Sequence, residues 1–408
     1  MSLQLVLGSS GSGKSAYIYG DIIKKSIENP DKEFIIVVPE QYTMQTQRNV
    51  VSLHKNHGVM NIDIVSFGRL AYRVFDEVGT KQQAVLEDTG KRMVIRKVLE
   101  QQKKRLDVFK GNVNRSGFIS ELKSTISELL QYNISPDMLL ESGQALKGKP
   151  LLSGKLKDVA AIYDGFRNYI QEKYITAEEI LDILYGEVDK SGVLKGCEVY
   201  LDEFTGFTPS QYKLLEKLLK ICKKVVISLS VDPDEEPYHL GPPYKLFYLT
   251  KETIYKLEKL CMNAHICRDE DILLSSPGEC RFKGSRDLAF LEKNIYRSKV
   301  LAYEREPEHI RLIQLKEPSN EADFAGGEIL RLVREEGYRF RDIAIVAGSV
   351  ENYEHTIEKV FKDMEIPFFI DSKKSILGNA LVEFIRAALD MIYRDFSYES
   401  AVSYTHLD

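Results

Sequence analysis

Residues 3–22, LQLVLGSSGSGKSAYIYGDI, leave the chain few ways to fold: a short apolar run passes straight into a glycine–serine turn and then into helical periodicity. Gly8, Ser9, Ser10, Gly11, Ser12, Gly13, Lys14 and Ser15 match the pattern G-x-x-x-x-G-K-[ST] in full. In such a loop the glycines let backbone N–H groups converge on phosphate oxygens without Cβ clashes. The helix that follows aims the positive end of its dipole at the same anion. Lys14 is expected on the β and γ phosphates of ATP, and the Ser15 hydroxyl on Mg²⁺. The alternative is a glycine–serine turn that binds nothing, but the strand before and the helix after are the context a phosphate cradle needs.

The stretches that follow keep an α/β rhythm. The helix after the glycine loop stops at Pro30, and EFIIVVP is a continuous apolar run of buried-strand length. A helix over about 41–55, the strand NIDIVSF and the helix GRLAYRVFDEV come next. This alternation predicts a parallel sheet with helices on its faces. From about 81 to 189 the strand signal all but vanishes, and stretches such as ISELKSTISELLQY predict an inserted helical subdomain. The sheet resumes at CEVYLDEF, followed by the helix PSQYKLLEKLLKICKK and the strand VVISLSV.

The Pro-rich loop DPDEEPYHLGPPY then marks an expected boundary. Residues 1–80 and 190–235 are read as a first domain and 81–189 as its insertion. Residues 236–408 are read as the start of a second α/β domain with strands at HIRLIQLKE, RDIAIVAG and IPFFIDS. The stop at SYTHLD, with no closing element, suggests the front portion of a longer protein.

A phosphate cradle needs a carboxylate from a second strand, and VYLDE supplies one. Asp202 is the expected Mg²⁺ partner, and Glu203 the group that polarises an attacking water. A solvated acidic pair at a strand end is the plain alternative.

Composition limits the rest. With 408 residues, two or three domains are expected. The net charge of −5 gives no global pull toward nucleic acid, although a basic groove can exist within an acidic protein. No apolar run approaches the roughly 20 residues of a membrane span. MSLQLVLG carries neither a basic leader nor a cleavage site, so a cytoplasmic protein is expected. Of the five cysteines, Cys197, Cys222, Cys261, Cys267 and Cys280, none forms a C-x-x-C pair, which favours scattered reduced thiols over a metal cluster.

GSSGSGKS, VVPEQYT, VSFGRLAYRVF and VYLDEFTGFTPSQ, in this order, resemble superfamily 1 helicase motor segments. More specifically they resemble the B subunit of the bacterial AddAB (RexAB-like) ATP-dependent helicase–nuclease, over nearly the whole chain. The resemblance implies a P-loop NTPase fold with RecA-like parallel sheets. It also implies a role in processing double-stranded DNA ends for recombinational repair, as a heterodimer with the family's motor, the A subunit. The family's nuclease domain and iron–sulfur cluster would lie beyond Asp408, so none of the five cysteines is assigned to the cluster.

In this architecture single-stranded DNA crosses the loops after the sheet strands. The implied contacts are Gln41, Tyr42 and Thr43, then Phe67, Arg69, Tyr72 and Arg73, with Phe204 and Phe207 beside the acidic pair. Such loops are where the family holds a recombination hotspot sequence. For Phe67, Tyr72, Phe204 and Phe207, core packing is an equal alternative to base stacking. KRMVIRKVLEQQKKR, residues 91–105, carries seven Lys or Arg against one Glu. It reads either as a solvated helix face or as a contact to DNA phosphates.

An efficient motor of this superfamily stabilises the transferring phosphate with added arginines. Here RDIAIVAG runs into Ala347-Gly348-Ser349 without one, and VVISLSV is followed by DPDEEP without the expected Gln. Nor is there room before the first strand for an adenine-reading Gln. ATP binding with slow or no intrinsic hydrolysis is therefore expected, with Arg334, Arg339 or Arg341 left as displaced fingers. Two other readings stay open. A noncatalytic scaffold for a partner motor differs only in whether ATP matters. A small-molecule P-loop kinase fits poorly with the long helical interval between Lys14 and Asp202.

Overall fold

A computed structural model describes all residues except 81–82, 147, 172, 233, 275–280, 298, 373–375, 377 and 406–408, and omits the side chains of 403 and 405. The chain divides into two compact units, Met1–Ile310 and Arg311–Asp408.

The first unit is built on a parallel sheet of β1 (Ser2–Gly8), β2 (Phe34–Val37), β3 (Ile62–Val65), β6 (Glu198–Leu201), β7 (Lys224–Ser230), β8 (Cys267–Arg268) and β9 (Ile272–Leu274). Their order is β3-β2-β6-β7-β1-β8, with β9 also on β1. The wholly buried FIIV of β2 shows why a continuous apolar run is needed here. Ile35 and Val37 face one layer with Leu5 and Leu201, whereas Phe34 and Ile36 face the other with Ile18 and Tyr200. Helices α1 (Lys14–Glu28) and α2 (Thr43–Leu53) cover the second face. Helices α3 (Phe67–Val78), α8 (Ile180–Glu187), α9 (Pro209–Ile221) and α10 (Tyr248–Asn263) cover the first.

The helix starts are encoded locally. Ser66 accepts from the Arg69 N–H at 3.3 Å to open α3, and Thr208 with Gln211 forms a capping box in front of Pro209 at the head of α9.

Between α3 and α8 the chain makes a core of its own. β4 (Ala84–Leu86) and β5 (Tyr174–Thr176) pair in parallel where the chain leaves and returns. Helices α4 (Asp88–Gln102), α5 (Ser116–Gln131), α6 (Pro136–Ala145) and α7 (Pro150–Ile170) enclose Ile95, Leu99, Ile126, Ile162 and Phe166. The expected all-helical stretch thus holds two short strands. Its last helix, α8, packs into the main core through Ile180 and Leu184 instead.

Two expectations need correction. Residue 236 does not open a new domain: β8 and β9 extend the first sheet beside β1, and α11 (Arg286–Asn294) belongs to the same unit. Strands of two and three residues are too short to leave a periodicity. In the second unit, HIRLIQLKE, RDIAIVAG and IPFFIDS carry no strand pairing among the described residues, because a strand exists only with a hydrogen-bonded neighbour. That unit contains α12 (Pro318–Glu335), α13 (Glu354–Asp363), α14 (Ala380–Tyr393) and α15 (Tyr398–Thr405), with α12 and α13 closing on Ile329, Phe361 and Ile366.

Cys197, Cys222 and Cys261 are buried free thiols and Cys267 is exposed; Cys280 lies outside the described residues. No helix among the described residues is long and apolar enough to cross a membrane.

Candidate functional site

Because every strand of the sheet is parallel, the loops that follow them gather along one edge. At Gly8, where β1 ends, a Cβ would come within 2.8 Å of the Leu274 carbonyl of β9. Gly13, directly before α1, has φ +94°, a conformation L side chains rarely adopt. Between them the Ser12 N–H closes a turn on the Ser9 carbonyl at 3.3 Å. Lys14 folds back over its own loop, its Nζ donating to the carbonyls of Gly8 at 3.1 Å and Ser9 at 2.8 Å. Burial holds the Lys14 pKa below its ordinary value, against the opposing charges of Asp202, Glu203 and Glu292.

Two strands away, β6 delivers Asp202 to the same edge. It is 1% exposed, and its N–H donates to the Val37 carbonyl at 3.1 Å. Ser228, on the intervening β7, donates to Asp202 Oδ1. Asp202 Oδ2 is buried and has no hydrogen-bond partner. The Tyr19 hydroxyl bonds to Thr46 at 3.4 Å and lies close to the Asp202 carboxylate; burial first, and then that carboxylate, push its pKa up to about 12. Glu203 follows at φ +64°, a left-handed conformation costly for a residue with a Cβ, and is the acceptor for Ser15 Oγ at 3.2 Å.

A buried carboxylate oxygen without a geometric hydrogen-bond partner is costly to keep, which makes Asp202 a residue that could hold a cation. Asp202 and Ser15 carry hard oxygen donors of the kind Mg²⁺ takes, and could hold one. Among the described residues no cluster of three or more His, Cys, Asp or Glu side chains forms a metal cage by itself.

Two further residues touch the loop from far along the chain. The Ser10 N–H donates to Glu292 Oε1 on α11 at 3.2 Å, and the Arg281 N–H donates to the Gly11 carbonyl at 2.9 Å. Neither belongs to a recognisable motif, and both follow β9, which pairs with β1.

Residues 5–292 match the family model described as ADDB, N-terminal. The chain belongs to this family. It is 44% identical over 403 residues to the ATP-dependent helicase/deoxyribonuclease B subunit of Lachnoclostridium phytofermentans, an overlap of 98% of this chain and 35% of that protein. It is 34% identical over 404 residues to the protein of the same name from Clostridium acetobutylicum, and 35% identical over 406 residues to that from Clostridium tetani, with 99% of this chain and 35% of the relative covered in each case. The chain thus spans about a third of the length of these relatives.

The remaining residues expected at the site divide sharply. Gln41, Tyr42 and Arg69 are exposed at the loop edge, where Arg69 pairs with Glu40 at 3.2 Å. Thr43 is buried and donates to the Glu40 carbonyl at 2.9 Å. Phe67 is core: its ring lies 5.5 Å from Phe204, which lies 5.1 Å from Phe207. Tyr72 is half-buried, edge-on to Phe75 at 6.1 Å.

Arg73 is not with the others. It pairs with Glu33, just before β2, at 2.6 Å and with Asp63 near the start of β3. Six residues of helix, about 9 Å, carry it from the loop edge to the opposite one. In the basic stretch 91–105, Lys91 is buried and held by Glu178 at 2.7 Å, so it is no phosphate contact, whereas Arg92, Arg96, Lys103, Lys104 and Arg105 are exposed. After β7, Asp232 is engaged by Arg297, and Glu235 by Lys251 at 2.6 Å. In the second unit Arg339 is held in a fork by Asp342 at 2.7 and 2.9 Å.

Proposed function

We propose that Gly8–Ser15, Asp202 and Glu203 form an ATP and Mg²⁺ site. On this reading the chain is the helicase-like, RecA-type front portion of a protein that processes DNA ends within a helicase–nuclease complex. The single observation that carries the site is the buried, unpartnered oxygen of Asp202, on the same sheet edge as Lys14 and next to the Glu203 that Ser15 contacts. The names of the relatives support the wider role, including ATP dependence and membership of a complex with a partner chain.

Each residue of the site has a proposed role. Lys14 must exchange the Gly8 and Ser9 carbonyls for phosphate oxygens. Ser15, released from Glu203, and Asp202 would hold the metal. Bound Mg²⁺ supplies charge neutralisation to the phosphates. Glu203, freed from Ser15, is the acceptor that orients a water. The site is proposed to bind ATP and to hydrolyse it slowly or not at all.

Gln41, Tyr42 and Arg69 are proposed to guide single-stranded DNA and to contribute to recognition of a hotspot sequence. Exposed bases and phosphates need stacking faces and cations of this kind. Partnership with a separate motor protein, the A subunit of the complex, at double-stranded ends in the cytoplasm completes the proposal. The nuclease and its iron–sulfur cluster are assigned to a part of the protein outside these residues.

Calorimetric titration of MgATP into the chain and into Lys14→Ala tests the site. The expected result is saturable binding to the first and none to the second. Equal binding by both would remove Lys14, and with it the cradle.

A further inference from the structure

Three donors of the proposed nucleotide site are already engaged within the chain. Lys14 is on carbonyls of its own loop, Ser15 is on Glu203, and the Ser10 amide is on Glu292. The first is local to the loop, and the second joins two residues of the proposed site across 188 residues of chain. The third reaches across 282 residues of chain and brings a carboxylate to an anion cradle.

We propose that Glu292 sets the nucleotide affinity of this loop by taking, from within the chain, an amide that a phosphate oxygen needs; the proposal rests on the nucleotide site proposed above. A carboxylate oxygen and a phosphate oxygen are alternative acceptors for one N–H, and two negative groups do not share it. The Glu292 charge also acts on Lys14. A nucleotide must therefore displace this carboxylate from Ser10 before its phosphates can seat.

Glu292 is held in place, not merely near. The segment leading into α11 lies directly on the loop: the Arg281 N–H donates to the Gly11 carbonyl, and a Cβ on Gly11 would meet Arg281 Cβ at 3.0 Å and the Phe282 ring at 3.2 Å. At the start of α11 the buried Asp287 accepts from the backbone N–H of His309 at 2.6 Å and of Leu288 at 3.0 Å. At its end, Lys293 pairs with Asp234 at 2.8 Å. Held at its start by Asp287, α11 presents its carboxylate with less entropy left to lose, which favours it as a competitor.

The test is MgADP titration into the full chain, Glu292→Gln, and Lys14→Ala in each background. Thermal melts of each confirm that the proteins are folded. Glutamine keeps the size of the side chain and removes the charge. A charge-assisted hydrogen bond at an exposed position, discounted for solvent screening, predicts about a three- to tenfold lower Kd for Glu292→Gln, with Lys14→Ala abolishing binding in both backgrounds. An unchanged or raised Kd in Glu292→Gln, while Lys14→Ala still abolishes binding, overturns the role of Glu292 and leaves the nucleotide site standing. No binding by either the parent or Glu292→Gln overturns both.

Discussion

Both edges of the central sheet carry charges, and they treat them in opposite ways. At the edge where the strands begin, Glu198 accepts from Lys223 at 2.7 Å and Lys25 at 3.0 Å, while Tyr200 donates to Asp21 at 2.7 Å. Arg73 is likewise shared by Glu33 and Asp63. At the edge where the strands end, Asp202 keeps a buried oxygen with no partner, Ser12 Oγ is buried and unpaired, and Glu203 sits at positive φ. A saturated network explains itself as structure. An unsaturated one, held in a costly conformation, is one that the proposed ligand would complete.

That contrast can be broken by substitution, and the largest effect belongs to the saturated edge. Glu198→Ala removes the acceptor for two lysines and should lower stability by about 2–3 kcal/mol in urea unfolding, with nucleotide affinity unchanged. Its pH dependence has a definite sign. Burial alone would raise the Glu198 pKa, but Lys223 and Lys25 outweigh it and hold it below its ordinary value. The stabilisation is therefore complete above the ordinary carboxylate pKa of about 4.3 and is lost as pH falls through the lower folded value. The stability gap between the parent chain and Glu198→Ala should accordingly close in acid; a gap that widens contradicts the assignment.

Arginines sharpen the comparison at a smaller scale. Arg73→Met should cost about 1 kcal/mol and leave single-stranded DNA affinity unchanged, while Arg69→Met should weaken DNA binding several-fold at little cost in stability. Fluorescence anisotropy with a labelled oligonucleotide separates the two, and equal losses would mean that the opposite edge also meets DNA. The smallest effect is expected at Glu203→Gly. Relief of the left-handed backbone, partly offset by a freer unfolded chain, should raise stability by about 0.5 kcal/mol in urea unfolding.

Much of the loop edge was legible because its chemistry is local. Gly8 to Ser15 sit between a strand and a helix, and Asp202 ends an apolar strand, so short windows of sequence contain them. What was not legible depends on distance or direction. Glu292 and Arg281 reach the loop only through tertiary folding. Arg73 and Arg69 share a helix, and helical rise alone separates their environments. Lys91 heads a basic run, yet it faces inward to Glu178 because its side of α4 is the apolar one. The Pro-rich loop after β7 resembled a boundary because proline and acidic residues mark turns, but the chain returns to β1 afterwards.

The most direct test is a thermal melt of the parent chain, Asp202→Asn and Glu198→Ala, each with and without saturating MgATP. Ligand at a hundred times its Kd stabilises by about 2.7 kcal/mol, enough to move Tm visibly. The predicted pattern is crossed: Glu198→Ala melts early but retains the ligand-induced shift, whereas Asp202→Asn melts like the parent and loses it. If Asp202→Asn keeps the full shift, the unpartnered carboxylate is not where the metal–nucleotide group is held.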